Sequence, residues 1–414
     1  MNPPHPTPLP TRDIINGLPV VTLEQPGSPI ALSLRLHMGS MYDPEALPGL
    51  AHFCEHTLLT GTPTFSSKSA AAQYVEGLGG RFWASTGYDD LGIFFLFGCQ
   101  TDLPQILSLL EDFVVRPTLL PEHIESERGA VESETRRKES HPGKMALSRL
   151  HELMYAGDQL GHTILGTPSA LARYSSDDIR AFTKKYVVAG NALLTIAGDI
   201  DHDTVRTAVQ DNFKLPEGAS LRIGTPPQQP TDSKKESVLP YPNAPESYIS
   251  IGYRTVPLGH SDHIPLMVLA ELLGGGRSSI LITRLRQELG LVYDVNVEQH
   301  SGGRTGEFVI ETSTQAEHLP KVRAVIREEL QRVADKAIDP ALIDFIKAKL
   351  TKSRALLLET SYSRMLEASE YHLLTDTYNP SQFTEEVAKI TPQILANVAQ
   401  KYLDPTSEFV VRTE

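Results

Sequence analysis

His52-Phe53-Cys54-Glu55-His56 is the stretch on which the reading of this chain turns. It lies in a segment, 48–59, that opens on Pro-Gly and closes before Gly61, the boundary signals of a short helix. Positions i and i+4 of a helix differ by about 40° around the axis, so His52 and His56 project from one face and can reach one ion. Glu55 sits near the edge of that face, where a carboxylate serves as general base toward a water held by a metal. Cys54 points to roughly the opposite side and reads as a small buried apolar residue. Two imidazoles and a carboxylate, with a fourth position left for water or substrate, form a donor set suited to zinc.

A third ligand must come from elsewhere. The acidic run at 125–134 lies in a second helical segment, 121–139, and within it Glu127 and Glu134 are seven apart and share a face. The same run also reads as a solvated acidic helix with Arg136, Arg137 and Lys138 as partners.

Working outward, the chain has 414 residues, 40% hydrophobic and 21% charged, which is a globular composition and long enough for about two domains of roughly 200 residues each. Lys and Arg total 38 against 51 Asp and Glu, a net charge of −13 that argues against nucleic acid as a partner, because phosphate contacts need clustered cations. Only two cysteines, Cys54 and Cys99, are present, so no disulfide framework is expected and a reducing compartment fits. The first twelve residues lack the features of a signal peptide, and apolar stretches such as 91–97 fall far short of the ~20 residues that span a bilayer. A cytoplasmic protein without a membrane association is the expectation.

The segments 20–24, 30–37, 81–85, 91–97 and 192–197 read as strands, with Gly87-Tyr88-Asp89-Asp90 as a hairpin turn. The segments 103–113, 144–155 and 176–186 carry helical spacing. The second half repeats this order. Leu103-Pro104 and Leu319-Pro320 each open a helix after a hairpin, Pro121 and Pro340 each begin a long helix, and Tyr186 and Tyr402 each end one before a final strand. The pairs are offset by about 216 to 219 positions, so the fold expected is α+β: two similar domains from a tandem duplication, each a mostly antiparallel sheet with helices packed on one side. The boundaries expected are 1–215, a Pro-, Gly- and Ser-rich linker at 216–237, and 238–414.

With both acidic and histidine blocks in view, the sequence resembles the pitrilysin-type, inverted-zincin metallopeptidases, in the short-subunit branch similar to the mitochondrial processing peptidase. The resemblance covers nearly the whole chain. It implies His52, His56 and Glu134 as the ligands of one Zn2+ per chain, Glu55 as catalytic base, and Glu127 as the acidic residue that orients the ligands. Glu132 replaces Glu134 only if the helix register is misread. In the second half, Leu285-Arg286-Gln287-Glu288-Leu289-Gly290-Leu291-Val292-Tyr293 resembles the family motif whose Arg and Tyr anchor the peptide backbone and stabilise the oxyanion. Without the resemblance, Arg286 reads as a surface charge and Tyr293 as a half-buried strand residue. Residues 264–274 contain no His, so the second half binds no metal through this motif.

The resemblance further implies a zinc endopeptidase acting on peptides or small unfolded segments within a dimeric chamber. Because one chain carries both the zinc set and the Arg and Tyr, a homodimer is expected, with a heterodimer with a related subunit as the other arrangement. One departure stands out: where the family reads Asn-Ala-x-Thr, this chain has Trp83-Ala84-Ser85-Thr86. Ala84 and Ser85 still offer backbone groups to an extended peptide. Trp83 reads equally as an aromatic substrate contact or a core residue, and the missing Asn is what supports the alternative of a non-catalytic chamber subunit or peptide-binding scaffold.

Overall fold

The computed structural model describes residues 9–227 and 234–414. The chain divides into two compact units, which are not contiguous in sequence. The first unit comprises residues up to Thr135, His162–Ile223 and Ala355–Pro380; the second comprises Arg136–Gly161, Gly224–Arg354 and Ser381–Glu414.

The sheet of the first unit is built from β1 (Thr11–Ile15), β2 (Leu18–Glu24), β3 (Ile30–Leu36), β4 (Arg81–Thr86), β5 (Leu91–Phe97) and β6 (Ala192–Gly198), in the order β1-β2-β6-β3-β5-β4. The second unit has β7 (Glu236–Leu239), β8 (Ser247–Thr255), β9 (Val295–Ser301), β10 (Gly306–Thr314) and β11 (Phe409–Thr413), in the order β7-β11-β8-β10-β9. Leaving out β1, the two orders are the same. Each sheet has one parallel pair, β2 with β6 and β7 with β11, and is otherwise antiparallel. The repeat in the order of segments is thus a repeat in strand topology.

Central strands are apolar on both faces. In β5, Leu91, Ile93, Phe94, Phe95 and Phe97 are all buried, as a strand covered on both sides requires. In β4 the alternation separates two environments. Phe82 packs on Phe95 and on Phe113 of helix Leu103–Val115, at ring distances of 5.6 and 5.2 Å. Trp83 points the other way, stacking on Phe94 at 5.7 Å and meeting Tyr362 of helix Ser361–Thr375 edge-on at 5.3 Å.

That last helix accounts for where the units depart from the sequence division. Ser361–Thr375 lies in the second half of the sequence but packs on β3 and β6 of the first unit, donating from Ser361 Oγ to the Pro29 carbonyl. Conversely, helix Pro142–Met154 lies in the first half but packs on β8 and β11. Gly252 makes room for it: a Cβ there would meet Met154 Sδ at 2.5 Å. The contiguous division at 1–215 and 238–414 is therefore redrawn, because each sheet takes a helix from the other half of the chain. The linker is also narrower than 216–237. Pro216 and Gly218 carbonyls accept from Ala189 and Gly190, Leu221 N–H donates to Asn191, and Glu236–Leu239 is strand. Residues 228–233 of that segment lie outside the described residues.

A candidate metal centre on helix Leu50–Leu58

The helix that carries the histidines starts abruptly. Gly49 precedes it at φ +95°, a left-handed conformation, with Gly166 at φ +71° beside it. A Cβ on Gly49 would meet Gly166 Cα at 2.5 Å, and one on Gly166 would meet the Pro48 carbonyl oxygen at 2.1 Å, so both positions demand glycine. The buried Asp43 receives the N–H groups of Gly49 and Ala51 on its two oxygens at 2.6 and 2.7 Å, satisfying donors that the helix leaves orphaned. Burial pushes the Asp43 carboxyl up to about 7, against the pull of those two N–H groups.

The helix begins at Leu50 and ends at Leu58, with Leu50, Phe53, Cys54 and Leu58 buried, so its turn toward solvent presents Glu55 and His56 beside the mostly buried His52. The His52 and His56 rings lie 4.8 Å apart. Helix Pro121–Glu139 brings Glu134 to them: its Oε2 is 3.6 Å from His52 Nε2 and 3.7 Å from His56 Nε2. One ligand atom from each of His52, His56 and Glu134 falls within 4.8 Å of the others, the one such His, Cys, Asp or Glu cluster among the described residues. Glu132 is exposed on the same helix and is not part of it.

One turn-pair earlier on that helix, Glu127 Oε2 is 2.8 Å from His56 Nδ1. A carboxylate only accepts, so Nδ1 carries the proton and donates, leaving the Nε2 lone pair directed at the cluster. The hydrogen bond from His56 holds Glu127 below the usual carboxylate range against its burial. For His56, burial acts to lower the pKa, but the bond to Glu127 and the nearby Glu55 and Glu134 raise it overall. Glu55 is raised, chiefly by burial, with a hydrogen bond from Thr86 opposing. Arg128 anchors the ligand helix by donating to the carbonyls of Leu171 and Tyr174, with its guanidinium over Phe53.

The donor chemistry of this cluster fits a zinc ion: two imidazole nitrogens and one carboxylate oxygen, one imidazole oriented by a second carboxylate, and a further acid alongside.

Arg286 and Tyr293 lie in the second unit. Arg286 sits on a π-helical segment, Ile282–Glu288, and its guanidinium lies 4.5 Å from the centre of the Tyr293 ring. Tyr293 precedes β9 rather than lying in a strand, and it is 75% exposed, so the half-buried strand environment expected from sequence is corrected. The Leu291-Val292 pair before it is buried and mimics a strand pattern. Trp83, Ala84 and Ser85 occupy the edge strand β4, with the Trp83 ring engaged by Phe94 and Tyr362 and with Arg81 stacked over it at 5.5 Å. Sequence reasoning passed over Thr86 as a partner of Glu55 and Asp43 as the cap of the histidine helix. No local pattern in the sequence signals the first, which joins residues 31 positions apart.

The site thus joins an H-x-x-E-H helix to a glutamate from a following helix, on a repeated α+β scaffold. Residues 20–168 match the family model described as Insulinase (Peptidase family M16), and residues 173–350 match the one described as Peptidase M16 inactive domain. The chain belongs to peptidase family M16. A Rickettsia felis protein named "Uncharacterized zinc protease" is 25% identical over 401 residues, 93% of this chain and 93% of the relative. A protease from Helicobacter pylori superposes with a TM-score of 0.89 at 22% identity, covering 98% of this chain and 100% of that one. The structure titled as a peptidase M16 inactive domain from Pseudomonas fluorescens gives 0.88 at 19% identity, covering 98% of each. These identities speak for a shared fold. No helix among the described residues is long and apolar enough to cross a membrane, and Cys54 and Cys99 are both free thiols.

Proposed function

We propose that this chain is a zinc-dependent endopeptidase that hydrolyses peptides or small unfolded segments. The observation that carries the reading is the convergence of His52, His56 and Glu134 within 4.8 Å, with Glu55 one residue from His56. The name borne by the Rickettsia felis relative supports it. His52 and His56, through Nε2, and Glu134, through Oε2, would hold one zinc per chain, with Glu127 fixing the orientation of His56. Zinc bound there supplies Lewis acidity, which activates water near neutral pH and polarises a carbonyl. Glu55 accepts the proton of the attacking water and delivers it to the leaving amine. The desolvation that raises its pKa favours that transfer by making the carboxylate a stronger base.

Ala84 and Ser85 would offer edge-strand backbone groups to the peptide, and Trp83 supports that strand through its rings. Arg286 and Tyr293 would anchor the peptide and donate to the oxyanion. We read the assembly as a cytoplasmic homodimer in which each site uses Arg286 and Tyr293 of the partner subunit. Mixing a His52→Ala protein with an Arg286→Ala protein, under conditions of demonstrated subunit exchange, then restores part of the activity; no recovery rejects shared sites. For the reaction itself, Glu55→Gln should keep about one zinc per chain while peptide hydrolysis falls about 10²- to 10⁴-fold. Turnover retained in Glu55→Gln rejects the base assignment, and a wild type that binds no zinc favours the scaffold reading prompted by Trp83.

A further inference from the structure

The end of β4 puts a hydroxyl on the proposed base. Thr86 Oγ1 donates to Glu55 Oε2 at 2.7 Å, across 31 positions of sequence. In the alternation of β4, Phe82 and Thr86 share a face, and the Phe82 ring is packed on that face by Phe95 and Phe113. Thr86 is therefore presented to the histidine helix by strand register, while Trp83 is turned to the other face.

The backbone at Thr86 is held from several sides. Thr86 pairs with Leu91 across the hairpin, and Gly87 N–H donates to the Asp90 carbonyl. The turn is then tied to the loop at 39–41: Ser40 N–H donates to Gly87 O at 3.0 Å and Met41 N–H to Tyr88 O at 3.1 Å. That approach is close enough that a Cβ on Gly39 would meet Tyr88 O at 2.3 Å. Asp90 in turn takes a two-pronged bond from Arg35, at 2.6 and 2.9 Å. A threonine held this firmly offers a fixed donor, with little ordering left to do when substrate arrives.

Glu55 needs such a donor. Its side chain is a flexible one, partly withdrawn from water, and its two oxygens are chemically equivalent until a neighbour distinguishes them. We propose that Thr86 is a positioning residue for Glu55: its hydroxyl fixes the carboxylate and occupies Oε2, which assigns Oε1 as the oxygen that takes and returns the proton. The water O–H bond breaks, its proton goes to Oε1, and the water oxygen uses the freed electron pair to bond the carbonyl carbon while the C=O π pair moves onto the carbonyl oxygen. The same proton then leaves Oε1 for the amide nitrogen as the carbonyl oxygen's pair re-forms the C=O bond and the C–N pair departs with the nitrogen, giving a carboxyl group and an amine. This inference rests on the peptidase reading above.

The test compares Thr86→Val, which keeps shape and removes the donor, with Thr86→Ser, which keeps the donor and removes the methyl. Thr86→Val should lower kcat about 10- to 100-fold, the range for loss of a group that supports a catalytic residue, with KM and zinc affinity within about twofold of wild type. Thr86→Ser should recover most of the lost kcat. The side-chain carboxyl 13C resonance of Glu55 in metal-free protein, assigned by its disappearance in Glu55→Gln, should move in Thr86→Val and stay in Thr86→Ser. An unchanged kcat in Thr86→Val, an equal loss in Thr86→Ser, a loss of zinc, or an unmoved resonance each overturns the proposal. A wild type that binds zinc and cleaves no peptide overturns the peptidase reading and the catalytic role of Thr86 with it; the resonance still reports separately whether Thr86 fixes Glu55.

Discussion

Helices Leu50–Leu58 and His263–Gly274 occupy the same place in the repeated order of the two halves, and they have been put to opposite uses. The first carries His52, Glu55 and His56 within a turn and a half, and its start is held by the buried Asp43. The second buries Ile264, Leu266, Val268, Leu269, Leu272 and Leu273 in one apolar cluster, and Asp262 before it takes Lys401 and Tyr402 instead of its own helix. Gathering titratable groups in a half-buried place costs desolvation free energy, whereas apolar burial contributes it. A duplicated scaffold lets one copy carry a reactive cluster while the other keeps the apolar packing that such a site forgoes.

The widest gap is expected between a substitution in each helix. Leu269→Ala should cost about 2 to 5 kcal/mol of stability, as large-to-small changes in packed cores do, and leave zinc binding intact in the folded protein. His52→Ala should abolish zinc binding while the metal-free protein unfolds within about 1 kcal/mol of wild type. Denaturant unfolding with metal analysis on both variants checks the pair, and equal destabilisation would erase the contrast.

Acid should then treat the two units alike. Burial lowers His37 in the first unit and His263 in the second to about 4, with Arg222 adding to the effect at His37. Each is neutral when folded and protonates more readily when unfolded, so its contribution is complete above pH 6.5 and is lost as pH falls from 6.5 toward 4. The loss approaches about 3 kcal/mol for each histidine. Unfolding curves across that range measure it, and His263→Asn should flatten the slope; an identical slope would show that His263 is not one of the groups responsible. The smallest effect is confined to the first helix. Glu127→Gln leaves His56 without its carboxylate and should weaken zinc binding about 10- to 100-fold, read by chelator competition. Unchanged affinity would leave the two carboxylates of the ligand helix with no division of roles.

Local periodicity carried much of this into view before the structure did. The i, i+4 spacing placed both histidines on one face, and the seven-residue spacing put Glu127 and Glu134 on another, because both depend only on helical geometry. The apolar run at 91–97 read as a strand because a strand covered on both faces needs apolar residues in succession. Three things were out of reach. The Thr86 to Glu55 contact joins residues 31 apart through the edge of a sheet, and no local pattern reports it. An amphipathic helix declares that one face will be buried and not which sheet will bury it, so the crossing of 142–154 and 361–375 was invisible. Tyr293 was misjudged because its buried neighbours Leu291 and Val292 imitate a strand.

The helix Ser361–Thr375 sets a timetable for synthesis. The sheet that carries β4 has all its strands once Gly198 is made, yet the helix that covers Ser33, Arg35 and Thr195 emerges more than 150 residues later. At roughly 5 to 20 residues per second, that is a wait on the order of 10 s with one sheet face open to water. Ser33, Arg35 and Thr195 give that face hydrogen-bonding groups for water to serve during the interval, beside the apolar Phe94 and Trp83.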